Sequence, residues 1–189
     1  EVLGIYVSGH PLEEYQEMWE KHITATTADF ELQEETGATK VEDGQKVRIG
    51  GMITDKKIKY TKNDKVMAFL NVEDLVGTVE VIVFPRDYEK NASRLVEDNK
   101  VFIEGRASVE EEKGAKLICE KMFSFDEVPK KLWIKYPDMD AYEAANEDVM
   151  NILATSEGID QVILYIEKTR QMKKLPANQN VKADDTLLR

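Results

Sequence analysis

The chain is 189 residues long, 42% hydrophobic and 33% charged, with a formal net charge of −11 at pH 7, and its apolar content suffices for the core of one large or two small domains. No stretch approaches the roughly 18 apolar residues that cross a bilayer and no basic-then-apolar leader is visible, so a soluble, cytoplasmic protein with no membrane partner is expected. The single cysteine, Cys119, rules out an intramolecular disulfide framework and suits a reducing compartment.

The charge is unevenly spread. Residues 1–45 hold 2 basic and 11 acidic side chains, 46–125 hold 15 and 14, and 126–189 hold 9 and 12. Within the near-neutral middle, the run Asp55–Lys65 carries five lysines, Lys56, Lys57, Lys59, Lys62 and Lys65. Lysines kept together against the chain's own average mark either a solvated turn or an anionic ligand.

In chain order, Leu12, Tyr15, Met18 and Trp19 fall at helical steps between glutamates and predict an amphipathic helix over 12–22, with Pro11 in its first turn. Residues 24–44 are polar and read as a partly helical linker. From Lys46 the period becomes two. Val47, Ile49, Gly51 and Ile53 alternate with Arg48, Gly50, Met52 and Thr54 to give a first strand whose glycines permit strong curvature. After the lysine-rich turn, Val66–Glu73 is a second strand, Asp74–Gly77 a tight turn, and Val79, Val81 and Val83 a third strand ending at Phe84-Pro85. Residues 85–98 read as a helix, and strands Val101–Val109 and Lys116–Phe125 flank the acidic turn Glu110–Gly114.

Three strands, one helix and two strands is the order of an OB-fold, a small five-stranded Greek-key barrel. Past Pro129, Leu132–Tyr136 reads as a strand. Tyr142, Ala145, Val149 and Ile152 mark a helix that Asp140 caps and Gly158 ends, and Val162–Ile166 is a buried strand with another expected after the basic turn Lys168–Lys174. The expected fold class is therefore mainly β with α. An OB-fold barrel over 46–128 is flanked by a helical segment and linker over 1–45 and by a small α/β domain over 129–189, read as truncated. Glu1 in place of Met, and a last helix expected to begin after Asp184-Asp185, suggest a piece of a longer protein.

An OB-fold binds single strands by placing aromatic faces under bases and cations along the backbone, and the loop between strands one and two forms one wall of the groove. Lys56, Lys57, Lys59, Lys62 and Lys65 are expected in and beside that loop. Tyr60 and Phe69 are the stacking candidates, with Arg48 and Arg106 on alternating strand positions that could share their face. The plainer alternative is a solvated hairpin tip whose lysines guard a sheet edge.

Other motifs carry less. The carboxylate pairs Glu73-Asp74, Asp138 with Asp140, and Asp184-Asp185 sit at turns or helix starts, where capping explains them better than magnesium does. His10 and His22 lack partners at ligand spacing, Cys119 alternates with buried neighbours as an inert thiol would, and no glycine-rich phosphate loop occurs. No catalytic residue, metal site or cofactor is assigned to this chain.

Two stretches carry a resemblance. Leu3-Gly4-Ile5-Tyr6-Val7-Ser8-Gly9-His10-Pro11, within Val2–Leu12, resembles the start of the C-terminal region of the bacterial replicative DNA polymerase III alpha subunit, and Met67–Pro85 is similar to that family's OB-fold. The likeness is strong over 1–125, and over 126–189 the element order still fits. It implies a non-catalytic fragment whose barrel lies near single-stranded template while the polymerase aspartates, with their magnesium, sit upstream in the parent protein. It also implies contact of the parent with the clamp-loader tau subunit and the sliding clamp, although Gln16-Glu17-Met18-Trp19 does not match a clamp motif. A replisome protein-interaction module with little direct DNA binding is the main alternative. The anticodon-binding barrel of a class II aminoacyl-tRNA synthetase is a lesser one, because too few residues follow the barrel for a catalytic domain.

Overall fold

Period-two alternation produces five strands in the first unit: β1 (Lys46–Tyr60), β2 (Val66–Glu73), β3 (Thr78–Val83), β4 (Lys100–Glu110) and β5 (Gly114–Ser124). In the computed structural model, which describes residues 9–188, they close into a barrel in the order β1-β2-β3-β5-β4. Neighbours are antiparallel except β3 with β5. This is the OB-fold expected from the sequence. The Val2–Ser8 part of the N-terminal motif lies outside the described residues.

Closure depends on β1, which pairs with β4 through Lys46–Met52 and with β2 through Met52–Tyr60. A register shift between Ile53 and Asp55 bends it from one partner to the other. At Gly51 a Cβ would stand 2.6 Å from the Glu73 carbonyl oxygen, so the strand can pass there only as glycine. Ile49, Ile53, Leu70, Val72, Val81, Ile103 and Leu117 point inward and form the core, which drives closure by removing apolar surface from water.

The stretch over 24–44 differs from the expected linker. Ala25, Phe30 and Val41 are buried in the barrel core, so this segment is a strap on the barrel. It is pinned by Asp74, only 2% exposed, whose carboxylate accepts from the Thr27 amide at 2.9 Å and the Thr27 hydroxyl at 2.7 Å. Widely spaced apolar residues without a period gave no sign of this. Ahead of the strap, α1 (Gln16–His22) follows a single 3-10 turn over Glu13–Tyr15, so the regular helix is shorter than 12–22. Trp19 of α1 donates from its indole nitrogen to the Gly50 carbonyl at 2.7 Å. After β3, α2 (Pro85–Asn91) begins with Pro85 in its first turn and gives way to a 3-10 turn over Ala92–Arg94, which drops Leu95 into the core.

The second unit, Asp126–Arg189, is built from β6 (Lys131–Tyr136), α3 (Met139–Leu153), β7 (Gln161–Ile166) and β8 (Gln171–Lys174). β6 and β7 run parallel across the α3 connection, and β8 pairs antiparallel with β7. Val162, Leu164 and Ile166 pack with Tyr142, Ala145 and Val149 of α3 in a core of their own. The cap of α3 is Asp138 rather than Asp140: its carboxylate accepts from the Ala141 amide at 3.0 Å. Asp140 stands in the first turn, where its charge complements the helix dipole. The helix ends at Leu153, ahead of Gly158. Among the described residues no helix is long and apolar enough to cross a membrane.

Candidate nucleic-acid interface

β1 does not end where the lysines begin. It runs on to Tyr60, so Lys56, Lys57 and Lys59 are strand residues, and only Lys62 and Lys65 belong to the turn, which is closed by the Thr61 amide on the Lys65 carbonyl at 2.8 Å. The polar stretch stays extended because β2 satisfies its backbone. Strand geometry then sorts the side chains. Lys57 and Lys59 lie opposite Phe69 and Met67, whereas Lys56, Ile58 and Tyr60 lie opposite Leu70, Ala68 and Val66 on the other face. Tyr60, 70% exposed, is therefore turned away from Phe69, and the two aromatics do not form one platform.

Register continues the Phe69 face outward around the barrel, through Lys57, Phe69, Ile82, Ile118 and Arg106 on successive strands. Phe69, Ile82, Ile118 and the neighbouring Met67 are each half-buried. The Lys59 ammonium sits 4.6 Å from the Phe69 ring centroid, a cation–π contact. Lys57 keeps only a 3.7 Å contact with Asp55, and among the described residues Lys62 and Lys65 form no ion pair.

Three of the candidate cations donate hydrogen bonds to partners within the chain. The Lys56 ammonium donates to the Leu95 carbonyl at 2.7 Å. Arg48 pairs with Glu104 and donates to the His22 carbonyl at 3.3 Å. Arg106 donates to Glu120 at 3.0 Å and to the Gly44 carbonyl at 3.2 Å. The face that remains is a half-buried apolar stripe with Lys57, Lys59, Lys62 and Lys65 along one side.

The family model for an OB-fold nucleic acid binding domain matches residues 47–124. The DNA polymerase III subunit alpha of Aquifex aeolicus is 33% identical over 133 residues, covering 70% of this chain and 11% of that protein. Its counterpart in Bacillus subtilis is 28% identical over an alignment of 191 positions, covering 100% of this chain and 16% of that protein. The chain belongs to the DNA polymerase III alpha-subunit family. It spans less than a fifth of the length of the alpha subunits it matches. Among solved structures, the mitochondrial single-stranded DNA-binding protein Rim1 of S. cerevisiae aligns with 14% identity over 44% of this chain and 96% of that one. Its TM-score of 0.38 is too low to bear on function.

The β4–β5 end of the barrel has the opposite sign. The turn between β4 and β5 carries Glu110, Glu111 and Glu112. Lys113 hydrogen-bonds Glu110, and together with Lys116 it holds that carboxyl below its usual range. Lys116 is shared with Glu80 at 3.4 Å and Glu110 at 3.7 Å, so it adds no free charge. Burial pushes the Cys119 thiol up to about 12, with Asp87 and Glu120 adding to it, which removes the thiolate a nucleophile would need. Among the described residues no three His, Cys, Asp or Glu side chains gather as metal ligands. Asp74 is occupied by four donors, the two on Thr27 and the amides of Val76 and Gly77.

The charge pattern does not single out Met67, Ile82 or Ile118, yet they floor the candidate groove. A signal for them existed: all three are apolar at outward positions of alternating strands, where a solvated face would place polar residues.

Proposed function

We propose that the outer face of β1, β2 and β3 binds single-stranded DNA during replication, holding template near the active site of the longer polymerase. The observation that carries this reading is the Lys59–Phe69 pair, a ring with a cation over it on an apolar stripe bordered by three further lysines. Bases stack on such a floor and phosphates follow the cations, without sequence preference. The match to a nucleic acid binding OB-fold model over the same barrel supports it. Affinity is expected to be weak, because only one wall is basic and Glu110–Glu112 oppose a polyanion across the groove.

Fluorescence anisotropy with a labelled oligothymidylate provides the test. One lost stacking contact is worth about 1–3 kcal/mol, so Phe69→Ala should weaken binding roughly 5- to 150-fold, whereas Phe69→Tyr should bind as the wild type does. Equal affinity of Phe69→Ala and wild type would refute the reading.

A second reading has one observation in its favour. The second unit has a cavity of about 340 Å³ lined by Met139, Tyr142, Leu164, Ile166 and Met172 together with Gln171 and Lys173, room for one or two apolar side chains of a partner such as the tau subunit. Retention of tau or the clamp by the immobilised chain would support it, and retention of neither would remove it. Polymerisation, with its magnesium, is proposed only for the longer protein, and no residue described here is given a part in it.

A further inference from the structure

The second unit separates its charges. Helix α3 carries Asp140, Glu143, Glu147 and Asp148 and no lysine or arginine, whereas β6, β7 and β8 carry four lysines and no carboxylate. Alternation divides the sheet between a face packed on α3 and a face opposite it. The opposite face presents Lys131, Trp133 and Lys135 from β6, Tyr165 from β7 and Lys174 from β8, arranged around Ile163, which the register sets between Trp133 and Lys174 and which is itself 1% exposed.

Trp133 is 45% exposed. The Trp133 and Tyr165 rings meet edge to face with centroids 6.3 Å apart, which leaves indole surface open beside a second aromatic. Among the described residues, Lys131, Lys135 and Lys174 form no ion pair. An ordinary solvated face would mix charge signs and cover its tryptophan.

We infer that this sheet face is a second contact for single-stranded nucleic acid, in which a base stacks on Trp133 beside Tyr165 while Lys131, Lys135 and Lys174 neutralise neighbouring phosphates. Exposed aromatics interleaved with cations on a sheet suit the π-faces and phosphates of an unpaired strand. An acidic peptide would use the lysines but has no need of the open indole. This contact does not depend on the barrel's groove.

The chain supplies its own reporter. It has two tryptophans, and Trp19 is 5% exposed, so a stacking base quenches Trp133 selectively. Titration of the full chain with oligothymidylate should quench tryptophan emission. That quenching should vanish in Trp133→Phe and need at least tenfold more DNA in the triple variant Lys131→Glu, Lys135→Glu, Lys174→Glu, with circular dichroism unchanged. It should survive in the barrel variant Lys57→Glu, Lys59→Glu, Phe69→Ala, which separates this contact from the barrel's. No quenching in the wild-type chain overturns the inference, as does equal quenching by polyglutamate. In the unmutated chain, a strand substituted with 5-iodouracil should crosslink to Trp133 or Tyr165, and crosslinks confined to 46–125 would equally overturn it.

Discussion

Reversing two lysines should change how binding depends on salt. Lys57, Lys59, Lys62 and Lys65 are the cations along the Phe69 face not engaged inside the fold, and the 3.7 Å contact of Lys57 with Asp55 is between side chains 72% and 43% exposed, too solvated to withhold it. Each phosphate neutralised on a single strand contributes about −0.7 to the slope of log affinity against log salt. Four contacts give a slope of about −2.8, so affinity falls about 50-fold between 50 and 200 mM salt. With Lys57→Glu and Lys59→Glu the slope should shrink to about −1.4 or less, and the fall to about 7-fold or less. Lys56→Gln is the control: its ammonium is held by the Leu95 carbonyl, so it should leave the slope unchanged while lowering stability slightly. Anisotropy titrations across that salt range measure both. An unaltered slope in the double variant, or a reduced slope in Lys56→Gln, would refute the assignment of free and engaged lysines.

Three further outcomes follow from the fold. Asp74→Ala strands the Thr27 amide and hydroxyl in a site where Thr27 is 0% exposed, and should cost about 3–5 kcal/mol, a drop of roughly 10–30 °C in barrel melting by calorimetry. Cys119 should resist thiol reagents in the native chain at pH 8 and react once unfolded. Its thiol is raised from 9.0 to about 12, so the native state stays protonated while the unfolded state ionises. The associated stability is present below pH 9 and is lost as pH rises toward about 12, by roughly 1 kcal/mol per pH unit, a slope that Cys119→Val should remove in denaturant titrations. Gly105→Ala should unfold the barrel or shift the β4–β5 register, since its Cβ would lie 2.0 Å from the Ile118 carbonyl oxygen; a wild-type melting temperature would contradict this.

The barrel is legible because β2 and β3 place an aliphatic residue at every second position, Val66, Ala68, Leu70 and Val72, then Val79, Val81 and Val83, and Phe84-Pro85 marks the start of α2. The extension of β1 was not legible: Asp55–Tyr60 has no apolar period, and its strand state comes from pairing with Val66–Asn71, a tertiary effect that local propensity does not encode. The same omission placed Tyr60 with Phe69, since a loop leaves facing open whereas a strand fixes it. From the sequence Arg48 and Arg106 stand only as cations on alternating strand positions, because their partners, Glu104 and Glu120, lie 56 and 14 residues away. The strap over 24–44 was hidden because one phenylalanine, one valine and one alanine, far apart in sequence, supply its burial. Asp138 and Asp140 could each have capped α3 by type; backbone geometry selects Asp138.

The most direct measurement of the barrel's role is an amide chemical-shift map of the isotopically labelled chain with oligothymidylate at low salt. The account predicts that within the barrel the largest shifts fall on Lys57, Lys59, Met67, Phe69 and Ile82, and that they reverse as salt is raised. Barrel shifts confined to the Arg48 and Glu104 side, or none at saturating DNA, would contradict it.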